Sequence, residues 1–311
     1  MKRLLPLLTC LTGGCRAPAL PEIQRFPTGT PFTARYAQVD GTRIRYLEAG
    51  HGAPVIFLHG LGASMYAWRK NLPPVAAAGF RVIAFDNRGF GFSDKPAGPY
   101  DNEAYARLLI ALMDSLHLPE AVLVGHSMGG AVAAEVAIEY PSRVRGLVLI
   151  GSAGLGARES VVFRVARWPL VGPVLLALRG RGLTARILRS TYADPSKVTE
   201  ADVDQYYAPV AEPEYGRALR GVLRQFRLDA LAGRLDRVAA PTLLLWGEED
   251  RIVPLAFGRA LATGIPRSSF LTVRRAGHSV QEEAPGEVNE LLIKFLREGL
   301  PRIPTDLALS Y

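Results

Sequence analysis

A serine stands between two glycines, two residues away on each side, in Val124-Gly125-His126-Ser127-Met128-Gly129-Gly130. An apolar run, Ala121 to Val124, precedes this G-x-S-x-G pattern, and a helical run, Met128 to Tyr140, follows it. A sharp strand-to-helix turn strains the backbone at the serine and presents its hydroxyl at a sheet edge. Side chains at Gly125 and Gly129 would collide there, and the helix N-terminus favours developing negative charge. A hydroxyl is a weak nucleophile without an adjacent base. Five histidines are available: 51, 59, 117, 126 and 278. His126 sits in the turn itself and cannot reach back to Ser127. His117 ends a helical pattern, and His51 lies in a loop before the first core strand. His278, in Arg275-Ala276-Gly277-His278-Ser279, follows an apolar strand and comes late in the chain, as the order serine, acid, histidine requires. The acid is expected at a strand end between them. Leu245-Trp246-Gly247-Glu248-Glu249-Asp250 offers three carboxylates, of which Asp250 stands where a turn would aim it back at His278. Acyl transfer through Ser127, His278 and Asp250 is the chemistry that this order supports.

A tetrahedral intermediate also needs hydrogen-bond donors for its oxyanion. The Met128 N–H supplies one at the helix start. The loop after Val55 to Leu58 reads His59-Gly60-Leu61-Gly62, and the Leu61 N–H is the expected second. His59 is read as a brace for that loop rather than as a base, with Gly60, Gly125 and Gly129 as supporting positions.

These residues need a scaffold that brings distant strand ends together. An Asp-Gly pair, Asp40-Gly41, joins two alternating segments, a two-residue hairpin signal. On the second segment Ile44 and Tyr46 are expected to face inward, and Arg43 and Arg45 outward. Short apolar runs follow at Val55 to Leu58, Val82 to Phe85, Ala121 to Val124, Leu147 to Ile150 and Thr242 to Trp246. Such runs suit strands buried on both faces of a parallel sheet. Helical patterns such as Asn102 to Leu116 fall between several of them, so the fold class is α/β, a mostly parallel twisted sheet flanked by helices. About 90 residues between Gly151 and Thr242 show no strand pattern. They are read as an inserted helical cap over residues 155–236, with the core at 35–154 and 237–300 and a C-terminal tail at 301–311.

The 311 residues are 49% apolar and 21% charged, an ordinary globular balance. The net charge is +8. Seven arginines and one acid between Leu155 and Ser190 carry +6 of it, so the excess is local. No zinc spacing or aromatic-interleaved basic stripe points to nucleic acid. No metal or organic cofactor is expected, because no ligand spacing or dinucleotide fingerprint occurs. Cys10 and Cys15 both precede the folded domain. Met1-Lys2-Arg3, the apolar Leu4 to Leu11 and the small residues before Cys15 have the layout of a secretory or lipoprotein signal at 1–15. A Pro-rich tether at 16–34 follows. That layout implies export or a cell-envelope anchor, and a cytoplasmic location without it. With the apolar and basic segment from Arg158 to Arg179 it suggests contact with a membrane surface.

From about Arg35 to Arg297 the chain resembles the α/β-hydrolase superfamily. The blocks His59-Gly60, Asp86-Asn87-Arg88-Gly89-Phe90-Gly91-Phe92-Ser93-Asp94, the Ser127 turn, Gly247 to Asp250 and Gly277-His278 stand in that family's order. The resemblance implies a serine hydrolase, with carboxylic ester, lactone or thioester as the expected substrate and an apolar small molecule as the ligand. Perhydrolases and carbon–carbon bond hydrolases share the triad, and Gly154-Leu155-Gly156 is similar to the latter. Those enzymes tend to carry tryptophan where this chain has Ser279. Dehalogenases and epoxide hydrolases use an aspartate nucleophile and are excluded by Ser127. A non-catalytic binding protein of this fold usually lacks a triad member, and none is missing here.

Overall fold

A computed structural model describes residues 32–156 and 179–300. The expected leader, most of the tether, the segment bearing Arg158, Arg164 and Arg167, and the C-terminal tail lie outside the described residues. So does the segment on which membrane contact was expected, apart from Arg179.

The first half of the chain supplies strands β1 (Ala34–Val39), β2 (Thr42–Ala49), β3 (Pro54–Leu58), β4 (Arg81–Phe85), β5 (Ala121–His126) and β6 (Val144–Ile150). Helices α1 (Leu72–Ala77), α2 (Asn102–Ser115) and α3 (Met128–Glu139) lie among them. Then come three inserted helices, α4 (Arg181–Ser190), α5 (Glu200–Val210) and α6 (Tyr215–Gln225). Strands β7 (Thr242–Gly247) and β8 (Ser268–Val273) finish the sheet, with α7 (Leu255–Gly264) between them. The short α8 (Val280–Glu283) and the long α9 (Pro285–Glu298) follow.

The described strands form one sheet in the order β1-β2-β4-β3-β5-β6-β7-β8. The β1–β2 and β2–β4 pairs are antiparallel and the rest parallel. Alternation explains why the central runs are apolar throughout. On β3, β5 and β7, Ile56, Leu58, Leu123, Leu244 and Trp246 point into the core shared with α2 and α3. Val55, Phe57, Val122, Val124, Leu243 and Leu245 point the other way, toward α1 and α9. From β3 the chain runs outward to β4, then returns to β5 on the other side of β3. Strand order thus reverses between β3 and β5, the kind of crevice where α/β sheets bind ligands.

One expectation holds and one needs correction. The Asp40-Gly41 hairpin forms with positive φ at both residues, as a primed turn requires. Arg45, however, does not face solvent as Arg43 does: it is 2% exposed. The Asp86 to Asp94 block folds over it. Arg45 Nη1 lies 3.5 Å from Asp86 Oδ2, and the Arg45 N–H donates to Ser93 Oγ at 2.8 Å. The inserted stretch from Glu200 to Gln225 is two helices, α5 and α6. It breaks at 211–214, where Pro213 has no N–H to donate.

Asp86 does more than pair with Arg45. Its Oδ1 accepts the Met65 N–H at 2.8 Å and its Oδ2 the Phe92 N–H at 2.9 Å. Removing one member of a buried ion pair leaves an uncompensated charge. Asp86→Ala should therefore lower unfolding stability by about 3–5 kcal/mol, seen as a lower urea midpoint at unchanged slope. A loss below about 1 kcal/mol, the scale of an exposed pair, would show that Arg45 is not held by this carboxylate.

Candidate active site

Ser127 lies between β5 and α3 with φ 54° and ψ −117°. Positive φ is rare for a residue with a side chain and persists only where the surroundings fix it. Here the Ser127 N–H donates to Ile150 O at 3.0 Å, while the Ser127 carbonyl accepts from Gly130, Ala131 and Ala153 at 3.0–3.2 Å. The flanking glycines are required by contact. A Cβ on Gly129 would sit 2.3 Å from Leu58 O, and one on Gly125 would sit 2.4 Å from Gly129 O. The close approach leaves Ser127 half-buried between fully buried neighbours.

Asp250 and His278 come together from the ends of β7 and β8. His278 Nδ1 donates to Asp250 Oδ2 at 2.8 Å, and both residues are buried. Asp250 Oδ1 accepts the N–H groups of Ile252 and Val253 at 2.8 and 2.9 Å, which fixes the carboxylate. Glu248 and Glu249 stand exposed on the same turn. With Nδ1 protonated, neutral His278 keeps Nε2 free of a proton, the state a general base needs. Among the described residues no hydrogen bond joins Ser127 Oγ to His278; such bonds often tighten only when substrate is bound. Gly151, with φ +51°, lets the end of β6 pass beside the pair, since a Cβ there would lie 3.2 Å from His278 Nδ1.

On the other side of Ser127 the loop after β3 approaches. A Cβ on Gly60 would lie 3.2 Å from Ser127 Cβ. Among the described residues, neither the Leu61 nor the Met128 N–H donates to a protein acceptor. His59 braces this loop: its Nε2 accepts the Asn87 N–H at 2.9 Å and its Nδ1 donates to Gly60 O at 2.8 Å. Burial lowers its pKa, with Asp86 and the Gly60 carbonyl opposing, which keeps this tautomer neutral.

His126 has a role that its position in the sequence did not reveal. Its ring lies 4.7 Å from that of His278, and its Nε2 donates to His278 O at 3.0 Å. Burial, then the neighbouring His278, hold its pKa well below the usual 6.5. His51 and His117 are exposed.

Two histidines held neutral by burial give a pH signature. Their folded-state pKa values lie below 6.5, so below that pH the unfolded chain binds more protons and stability falls with acidification. Between pH 6.5 and 5 the unfolding free energy should drop, toward a limit of about 1.4 kcal/mol per pH unit for each histidine. His126→Gln keeps a donor for His278 O and should reduce that slope by up to about half in denaturant titrations at several pH values. Identical slopes in the two proteins would show that His126 titrates normally.

Comparison with known proteins agrees with this geometry. A family model for the alpha/beta hydrolase fold matches residues 53–285. The chain is similar to a 2-hydroxy-6-oxo-6-phenylhexa-2,4-dienoate hydrolase of Comamonas testosteroni, at 35% identity over 82% of this chain and 91% of the relative. It is similar in structure to a meta-cleavage product hydrolase from Pseudomonas fluorescens, with TM-score 0.74 and 29% identity over 85% of this chain and 97% of the other. A membrane phospholipase A matches at TM-score 0.73 and 26% identity, over 86% of each chain. Together with the Ser127 turn and the strand order, these matches show that the chain belongs to the alpha/beta hydrolase family and is a serine hydrolase.

Proposed function

We propose that this serine hydrolase cleaves a carbon–carbon bond next to a ketone, in a 2-hydroxy-6-oxo-dienoate of the kind that ring fission of an aromatic compound yields. This replaces the carboxylic ester as the leading reading. The observation that carries it is the 35% identity to a hydrolase named for such a substrate, over 91% of that protein. The buried His278–Asp250 pair supports the serine chemistry.

In this reading His278 Nε2 takes the Ser127 proton as Oγ attacks the ketone carbon. The oxyanion accepts hydrogen bonds from the Leu61 and Met128 N–H groups, beside a helix start where negative charge is favoured. Once the 2-hydroxyl form of the substrate has tautomerised to a 2-ketone, the adjacent carbon–carbon bond breaks. Its electron pair runs into the conjugated ketone, and the proton on His278 passes to the resulting dienolate. Water then attacks the acyl group on Ser127, losing a proton to His278, and the acid leaves as the serine is reprotonated. Asp250 holds the imidazole in the tautomer that can do this. The inserted helices are read as a cap over the site: a Cβ on Gly62, in the loop after β3, would lie 3.2 Å from the Tyr215 hydroxyl of α6.

A fluorophosphonate should label wild type but not Ser127→Ala; labelling that survives would displace Ser127. Asp250→Asn should fold normally and cut turnover by about 10⁴, because the imidazole then takes the wrong tautomer. Glu249→Gln should be close to wild type, and the reverse result would move the acid's role to Glu249. Substrate class is read from kcat/KM. Turnover of 2-hydroxy-6-oxo-6-phenylhexa-2,4-dienoate should exceed that of p-nitrophenyl esters at least about tenfold. A preference for the esters would restore the ester reading.

A further inference from the structure

We propose that Glu283 is a positioning residue that holds the His278 loop in register by tying it to the inserted segment at 191–194. The proposal rests on His278 being the general base.

Glu283 lies five residues after His278, and its side chain is fully buried. Among the described residues its carboxylate has one basic neighbour, Lys197, at the long end of ion-pair distance and on the exposed side, with Nζ 3.8 Å away. The carboxylate collects backbone donors from two separate parts of the chain. Oε2 accepts the Gly277 N–H at 2.7 Å and the Ala193 N–H at 2.9 Å. Oε1 accepts the Asp194 N–H at 2.8 Å. Gly277 is the residue immediately before His278.

The residue immediately after is tied to the same segment. The Ser279 N–H donates to Thr191 O at 3.0 Å, and the Ser279 and Thr191 hydroxyls are 2.9 Å apart. The backbones themselves are in contact, since a Cβ on Gly277 would fall 2.6 Å from Ala193 N and 2.7 Å from Thr191 O. His278 is therefore bracketed on both sides by bonds to the insert, and its own carbonyl is fixed by His126 at 3.0 Å. The loop has little structure of its own between β8 and α8, so its geometry is borrowed. Charge-assisted bonds to a carboxylate are stronger and shorter than neutral ones, which suits this use.

The carboxylate is needed as such. Both oxygens accept from N–H groups, so an amide in either orientation would set its own NH₂ against a backbone donor. Misplacing a reacting group by about 1 Å can cost about 10²-fold in rate.

The test measures the rate at which a fluorophosphonate labels Ser127, together with the deshielded proton NMR signal of the His278 Nδ1–H on Asp250. Glu283→Gln should slow labelling by about 10²-fold and shift or broaden that signal. Thr191→Val, which removes the hydroxyl contact with Ser279 and the Thr191 hydroxyl's own bond to Leu188 O, should move both in the same direction by less. Leu112→Ala, a buried truncation in α2 far from the site, gives the control for destabilisation alone and should leave both unchanged below its melting temperature. If Glu283→Gln folds and labels at the wild-type rate, the positioning role is overturned. It is overturned equally if Leu112→Ala at the same loss of stability slows labelling as much. Should Glu283→Gln not fold, wild-type rate and signal in Thr191→Val overturn it. His278→Ala separates the two readings. Fast labelling in that variant removes His278 as the base and the proposal with it. An inert His278→Ala beside a fully active Glu283→Gln removes the positioning role alone.

Discussion

The backbone of Ser127 is held at φ 54° and ψ −117°, and much of the molecule exists to keep it there. A non-glycine residue in that region costs on the order of 1–3 kcal/mol, which its own conformational preference does not repay. The neighbours do. Ile150, Ala153, Gly130 and Ala131 together satisfy its peptide N–H and carbonyl. Two glycines permit β5, α3 and the end of β3 to approach to distances that no side chain would tolerate. The parallel sheet brings the ends of β3, β5 and β6 together in register, and α3 is buried along almost its whole length to press the turn into place. The strain is thus distributed over the core.

His278 is positioned by a different principle. It sits in a loop with few bonds of its own, yet it meets Asp250, His126 and, through its neighbours in the chain, Glu283 and Thr191. The inserted helices reach the core beside the same loop. Arg69, from the turn before α1, pairs with both Asp202 of α5 at 2.6 Å and Glu282 of α8, while the Tyr206 hydroxyl donates to Glu282 at 2.5 Å. A buried ionic cluster of this sort is weak as net stabilisation, because desolvation offsets most of the Coulombic gain. Breaking it by removal of one partner costs about 3–5 kcal/mol, so it discriminates strongly between seatings of the insert. Position, more than stability, is what the cluster provides, and the position concerned adjoins the His278 loop.

The Ser127 turn was legible because its constraint is local: strand, tight turn and helix lie within about twenty residues of one another. The parallel strands were legible for a related reason. A strand covered on both faces must be apolar along its covered length, and Val55 to Leu58 of β3, Val82 to Phe85 of β4, Ala121 to Val124 of β5 and Leu243 to Trp246 of β7 are. Asp250 could be singled out over Glu248 and Glu249 by its place in the turn, and the structure brings it to His278 while the glutamates stay exposed.

Arg45 shows where that reasoning ends. Strand alternation puts it opposite Ile44 and Tyr46, the side that an arginine would ordinarily give to solvent. Only the fold of the Asp86 to Asp94 block over β2 makes that side interior. Glu283, His126 and Asp202 are similar cases: each is an unremarkable residue in its own stretch, and its partner lies between about 90 and 150 residues away in the chain for Glu283 and His126 and about as far for Asp202. The sequence by itself determined the Ser127 turn, the candidate acid and histidine that follow it and the sheet that carries them, since those follow from local geometry and burial pattern. Tertiary structure alone decided how the histidine is held and where the insert sits, because both depend on hydrogen bonds and ion pairs between segments whose proximity no local pattern records.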